Sequence, residues 1–176
     1  MAFLKNYSNT FFLTATILEW KHLLKPDKYK AIIVSTLKFL VENERIKLYG
    51  FVVMPNHLHL IWRELEGFTK NQIQGSLLRF TAQKIKYDLV ANHPAVLEKF
   101  LVSAKDREYQ IWERNPLAIQ IYTAVTMQQK LDYIHKNPVQ AKWNLAETPS
   151  AYCYSSIRFY TEGIDDFGIL TNPFAE

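Results

Sequence analysis

The chain alternates between two kinds of apolar pattern. Asn9 to Trp20 (NTFFLTATILEW) is rich in Phe, Thr, Ile and Leu and predicts a strand. Pro26-Asp27 opens a stretch with Ile32, Leu37, Leu40 and Val41 at helical spacing, ending near Glu44. Ile46 to Met54 reads as a second strand. Pro55-Asn56 breaks it, and His57 to Trp62 resumes in strand-like alternation, which together predict a hairpin. From Thr69 to about Ala91 the helical period returns through Ile73, Leu77 and Phe80, and Asn92-His93-Pro94 closes it. Arg107 to Thr123 reads as two strands around Asn115-Pro116. Thr126 to Asn137 is a short amphipathic helix on Met127, Leu131 and Ile134, with Thr126 as its N-cap. The order β-α-β-β-α-β, then a helix, predicts an α+β, ferredoxin-like split βαβ: an antiparallel sheet with helices on one face.

Composition narrows the class. At 176 residues the chain is expected to be one domain (1–176) with a core large enough to stand without staples. A single cysteine, Cys153, excludes an intrachain disulfide and a thiolate zinc site. Five glycines leave little room for a Gly-rich phosphate loop. The net charge of +4 permits a polyanionic partner without requiring one. The amino terminus, Met1 to Asn6, lacks a leader-like basic and apolar pattern. No stretch approaches the ~18 apolar residues of a spanning helix. A cytoplasmic location with no membrane partner is the expectation.

The sharpest chemical feature is His57-Leu58-His59. On a strand, residues two apart share a face, so the two imidazoles stand side by side while Leu58, Leu60 and Trp62 turn to the core. Such a pair can ligate one divalent metal if a third donor arrives from elsewhere; a pair of half-buried structural histidines has the same spacing. Other histidine chemistries do not fit. A histidine-triad hydrolase needs a third His where Ile61 stands, and a zincin needs H-E-x-x-H on a helix. A two-histidine phosphoesterase carries Ser or Thr two residues after each of two distant histidines, whereas Leu58 and Leu60 flank this close pair, and a cupin would be all-β.

The second feature is Asp132 to Val139 (DYIHKNPV). Tyr133 lies off the Met127/Leu131/Ile134 stripe, and Asn137 sits about 40° from it around the wheel, one turn on. The proline at 138 biases Asn137 out of the helical region. Read alone, the two are a surface Tyr and a C-capping Asn. Read with the histidines, they fit one reaction. A phenol with a pKa near 10 is a poor nucleophile at neutral pH, and Mg²⁺ or Mn²⁺ can polarise a phosphodiester and orient it for in-line attack. A phosphotyrosine product keeps the bond energy for resealing.

The residues Tyr49 to Trp62 (YGFVVMPNHLHLIW) resemble the HUH signature of single-tyrosine transposases. Leu131 to Trp143 (LDYIHKNPVQAKW) resembles their tyrosine-bearing helix, within the IS200-like group nearest to the REP-associated tyrosine transposase branch. Pro149 to Ser156 (PSAYCYSS) resembles that branch's aromatic-Ser-Ser element. The resemblance implies that His57 and His59 are metal ligands, that Tyr133 is the nucleophile and that Asn137 is the third ligand. It implies a single-strand-specific DNA endonuclease and strand transferase that uses Mg²⁺ or Mn²⁺ and leaves a 5′-phosphotyrosine. Single-stranded or hairpin DNA, such as REP-like palindromes, would be the substrate. Gln140-Ala141-Lys142-Trp143 departs from the branch's basic-Ala-Gly turn, and Glu113 puts an acid where relatives are neutral or basic.

Arg79, Lys84 and Lys86 on the second long helix, Trp112 and Arg114 before the tyrosine helix, and Lys130 one turn before Tyr133 are the candidate DNA contacts. His135 has no spacing that makes it a ligand. Two rivals stay open: a non-cleaving single-strand binding module, and a metal hydrolase using the histidine pair and water. Monomer and homodimer are both compatible with the sequence.

Overall fold

The structure, a computed structural model, describes residues 7–175; the amino-terminal residues read for a leader lie outside them. Four strands form one antiparallel sheet: β1 (Thr10–Thr16), β2 (Ile46–Val53), β3 (His57–Glu64) and β4 (Leu117–Gln120). Their spatial order is β2-β3-β1-β4, the split βαβ arrangement predicted from the element order. The helices are α1 (Asp27–Glu42), α2 (Lys70–Asn92), α3 (Pro94–Leu97), α4 (Ala124–Lys136) and α5 (Ile157–Glu162). Among the described residues, no helix is long and apolar enough to cross a membrane.

The alternation along β3 sorts two cores. Leu58, Leu60 and Trp62 join Leu13, Ala15, Leu48, Phe51 and Val53 on one face of the sheet, against Ile33 and Leu37 of α1 and Leu77 and Ile85 of α2. On the opposite face Phe12, Tyr49, Val52 and Ile61 pack against Met127, Leu131 and Ile134 of α4. Burying each of those three side chains is worth about 1.5–3 kcal/mol, which is what seats α4. At the end of this face that carries His57 and His59, the rings of Tyr133, Trp143 and Trp20 lie against the two imidazoles.

Gly50 sets how closely α4 sits. A β-carbon there would lie 2.7 Å from Leu131 Cδ2, 3.1 Å from Ile134 Cδ1 and 3.4 Å from Ser156 Oγ. The bulge at Tyr49–Gly50, where the register with β3 shifts, puts this bare backbone under the helix.

The carboxy-terminal segment then clips both to the sheet edge. Val53 N–H donates to Tyr154 O (2.9 Å), Ser156 N–H donates to Phe51 O (3.0 Å), and Phe51 N–H donates to Ser156 Oγ (3.0 Å). His135 Nε2 lies 2.8 Å from the same buried Ser156 hydroxyl, so the tyrosine helix is tied to the strand it covers.

Several local expectations are corrected. Residues 107–116 are not a strand: the segment forms no continuous ladder with a neighbour, and Asn115 takes a left-handed backbone (φ 56°). Only isolated bridges, Ile17 to Trp112 and Leu101 to Tyr109, replace it. The first strand stops at Thr16, because Glu19 and Trp20 adopt left-handed backbone (φ 54° and 57°). The N-cap of α4 is Thr123, not Thr126: its extended backbone lets Oγ1 accept from Thr126 N–H at 3.1 Å. Asn137 also keeps a helical backbone (φ −56°, ψ −46°) despite Pro138, because the chain continues into a 3₁₀ turn over Asn137–Val139. The proline bias is overridden, and Asn137 stays one turn beyond Tyr133.

Candidate active site

β3 presents His57 and His59 on the α4 side of the sheet, with ring centroids 4.8 Å apart. Both are almost wholly buried. Each ring is held by its Nδ1 side. His57 Nδ1 lies 2.7 Å from Asn56 Oδ1, which can only accept, so neutral His57 carries its proton on Nδ1 and leaves Nε2 bare. His59 Nδ1 lies 2.9 Å from Thr14 Oγ1, on the neighbouring strand β1, and Phe12 stacks on the His59 ring at 5.3 Å. Burial, joined by the charge of Lys142, pulls His57 down to about 4. Burial, then His57 and the lysines 130 and 142, pulls His59 down to about 3, against the opposing pull of the Leu13 carbonyl. Both rings are therefore neutral at pH 7, the form that donates a lone pair.

α4 delivers Tyr133 to this end of the sheet. Its ring centroid is 5.2 Å from that of His59 and 6.1 Å from that of Phe12, both edge-on, and the residue is 47% exposed. Asn137, one turn later, is buried, and its Oδ1 has no hydrogen-bond partner. His59 Nε2 is likewise buried without a partner. Both residues line one cavity of about 340 Å³ with His57, Tyr133, Thr14, Phe12, Leu117, Ile119, Trp20, Trp143, Lys130 and Lys142. Unpaired buried polar atoms cost roughly 1–3 kcal/mol each, so two in one cavity need a common explanation. Two imidazole nitrogens and a carboxamide oxygen are a donor set that suits a divalent ion such as Mn²⁺, with open positions left for substrate. The residues present fit a divalent metal. No cluster of three His, Cys, Asp or Glu exists among the described residues, so a third protein donor has to be a neutral group such as Asn137.

The cavity mouth is basic and aromatic. Lys130 Nζ rests 4.6 Å from the Phe12 ring centre, and Lys142 Nζ 5.8 Å from that of Trp143. Trp143 and Trp20 flank His57 with ring centroids at 5.6 and 6.2 Å. Sequence reasoning missed Trp20, Lys142, Trp143, Thr14 and Asn56 as parts of this site. Lys142 and Trp143 stood out only as a departure from the family turn, while Asn56 looked like a plain bend. The other two lie on strand or loop segments that only the sheet register brings here.

The candidate DNA contacts separate into two groups. Lys130 is at the cavity. Arg79, Lys84 and Lys86 lie on α2, across the sheet from Tyr133, where Arg79, Lys86 and Arg114 border a distinct groove of about 720 Å³. Arg114 there is paired with Asp106 at 3.1 Å, Lys86 lies over Tyr109, and Lys84 over Phe80. Trp112 is corrected as a stacking candidate. It is core: 6% exposed, with its Nε1–H donating to Thr81 Oγ1 at 3.1 Å. His135 is buried in the Ser156 clasp, and burial holds it at about 4, despite the opposing charge of Asp132.

No protein-family model and no curated protein matches the sequence. Among solved structures, a REP-associated tyrosine transposase bound to a REP hairpin superposes with a TM-score of 0.62, covering 98% of this chain and 91% of that one at 17% identity. The chain has the fold of a tyrosine transposase. A Deinococcus radiodurans R1 protein provisionally named a transposase is also similar, with TM-score 0.48 and 14% identity, over 77% of this chain and 94% of that one. The transposase fold agrees with the motif resemblance, and the candidate site lies where its two motifs meet: β3 contributes the histidines, α4 the tyrosine, and the 3₁₀ turn that follows α4 the asparagine.

Proposed function

We propose that this chain is a metal-dependent, single-strand-specific DNA endonuclease and strand transferase with Tyr133 as nucleophile. One observation carries the reading: the Tyr133 ring stands 5.2 Å from the ring of His59, over a cavity holding two unpartnered donor atoms and two lysines. A water-using hydrolase needs no phenol at that spot.

His57 Nε2, His59 Nε2 and Asn137 Oδ1 would hold Mg²⁺ or Mn²⁺. When bound, the ion neutralises charge on a phosphodiester and orients it for in-line displacement. Lys130 and Lys142 draw the phosphate into the mouth and balance its charge. Asn56 and Thr14 keep both imidazoles turned with Nε2 inward. Tyr133 attacks phosphorus through its phenolic oxygen, and the bond from phosphorus to the 3′-oxygen breaks. The phenolic proton leaves to solvent, which reaches this half-exposed residue, and the 3′-oxygen takes one up. The products are a 5′-phosphotyrosine and a free 3′-hydroxyl, and attack by another 3′-hydroxyl reverses the step onto a new strand. Burial of α4 against Gly50 fixes where the phenol sits, which matters because in-line geometry tolerates little error. Hairpin DNA of the REP type is the substrate class, supported by the REP hairpin named with the solved transposase.

The test is an SDS-stable adduct. Labelled single-stranded hairpin DNA with Mn²⁺ gives a covalent protein–DNA band that disappears in Tyr133→Phe and with EDTA. Cleavage that survives Tyr133→Phe would move the reading to a hydrolase, and binding without any cleavage would reduce it to a single-strand binding module.

A further inference from the structure

We infer that Trp20 is a base-stacking platform: its indole receives an unpaired base next to the phosphate held at the histidine cavity. The inference rests on the proposed DNA chemistry at that cavity and adds a nucleobase subsite to it.

Three observations converge on this side chain. Trp20 is 60% exposed although it borders the cavity, with its ring edge-on to His57 at 6.2 Å. A large apolar side chain left in water beside a polar site has a face free for a planar partner. Second, Glu19 and Trp20 both hold left-handed backbone, with φ 54° and 57°, which a bulky residue rarely adopts and which a glycine would adopt without strain. Third, the turn is fastened from two sides. Asn56 Nδ2 donates to Trp20 O at 3.1 Å, while the 111–113 segment holds the residues before it: Leu18 N–H donates to Ile111 O at 2.8 Å, and Glu19 N–H to Glu113 Oε1 at 2.6 Å. Strain sustained by that many contacts is the mark of a side chain whose direction matters.

The fastening also links the platform to the metal ligand. The same Asn56 amide accepts from His57 through Oδ1 and donates to Trp20 through Nδ2. One side chain thus sets both the imidazole that faces the phosphate and the indole that faces the base. Indole stacking discriminates poorly between bases, so this subsite selects an unpaired nucleotide over a paired one rather than a particular sequence. That provides a physical reason for single-strand preference at the cleaved step.

The experiment pairs protein and DNA changes. Wild type, Trp20→Ala, Trp20→Phe and Trp20→Gly are compared on intact hairpin DNA and on a set of the same DNA with one abasic site at each unpaired nucleotide in turn. Equilibrium binding is read by anisotropy in EDTA, and adduct formation separately with Mn²⁺. Trp20→Ala weakens binding to intact DNA about tenfold, within the range for loss of one stacked base. The loss vanishes when one particular unpaired base is absent, and Trp20→Phe restores most of it. Trp20→Gly melts at a higher temperature than wild type while binding as poorly as Trp20→Ala, separating strain from function. Equal binding by wild type and Trp20→Ala, or an equal loss on intact and every abasic DNA, overturns the inference. Because binding is measured without metal, a wild type that binds in this pattern but forms no adduct would refute the nuclease reading alone.

Discussion

Gly50 makes the strongest prediction, because it separates packing from chemistry. Its backbone is not left-handed, so local conformation would accept any residue, and only the approach of α4 excludes a side chain. In Gly50→Ala the new β-carbon meets Leu131 Cδ2 at 2.7 Å, about 1 Å inside the best separation of two carbons. Leu131 is 1% exposed and has little free space to swing into. Such overpacking costs about 1–3 kcal/mol, and loss of glycine's freedom in the unfolded chain returns about 0.4–1 kcal/mol. The net is about 0–2.6 kcal/mol for Gly50→Ala, and about 3 kcal/mol or more for Gly50→Val, whose two further methyls enter the same contact. For a chain of this length 1 kcal/mol moves Tm by roughly 2–4 °C, so Gly50→Val melts roughly 6–12 °C lower. Lifting α4 also lifts Tyr133, and a displacement approaching 1 Å lowers the rate up to ~100-fold. Thermal melts in EDTA and single-turnover adduct formation measure the two effects. A cycle with Leu131→Ala ties them to this contact: that substitution costs about 2–5 kcal/mol alone, and at least ~1 kcal/mol less when combined with Gly50→Val. A Gly50→Val protein that melts within about 1 °C of wild type, or a cycle with no coupling, refutes the claim that glycine is needed to seat the tyrosine helix.

Other consequences are equally direct. Thr14→Val removes the group at His59 Nδ1 while keeping the shape, so Mn²⁺ affinity falls ~10–100-fold in a calorimetric titration; unchanged affinity would show that His59 needs no orienting partner. The buried histidines make the metal-free protein acid-sensitive. His57 and His135 are held at about 4 and His59 at about 3, below the ordinary value of 6.5, so the unfolded chain binds protons first as pH falls. Unfolding free energy in EDTA therefore declines from pH 6.5 down to about 4, with His59 contributing to about 3, and His135→Gln makes the decline shallower. A flat denaturation profile across that window would contradict the burial argument. Lys130→Gln and Lys142→Gln each reduce the salt dependence of single-strand binding by about one counterion, whereas Arg114→Gln, already paired with Asp106, changes it less.

Local pattern along the chain was enough to specify the strands and helices that carry the candidate site. Period-two alternation in HLHLIW put both histidines on one face and Leu58, Leu60 and Trp62 on the other, and β3 has that arrangement. The helical stripe of Met127, Leu131 and Ile134 left Tyr133 exposed, as α4 has it. These readings held because each depends on local geometry, a fixed number of residues per repeat. The segment 107–116 misread as strand, because a strand needs a neighbour to supply a continuous ladder, and this segment meets its neighbours only at isolated bridges. Trp112, carried as a candidate DNA contact, is buried because the core closes over it, which no local pattern specifies. Three-dimensional packing alone brought Thr14 to His59, carried Asn56 back to Trp20, and laid α4 on the histidine face at Gly50. Each joins residues 36 or more positions apart, and no periodicity along a chain encodes which strand will lie beside which, or at what register.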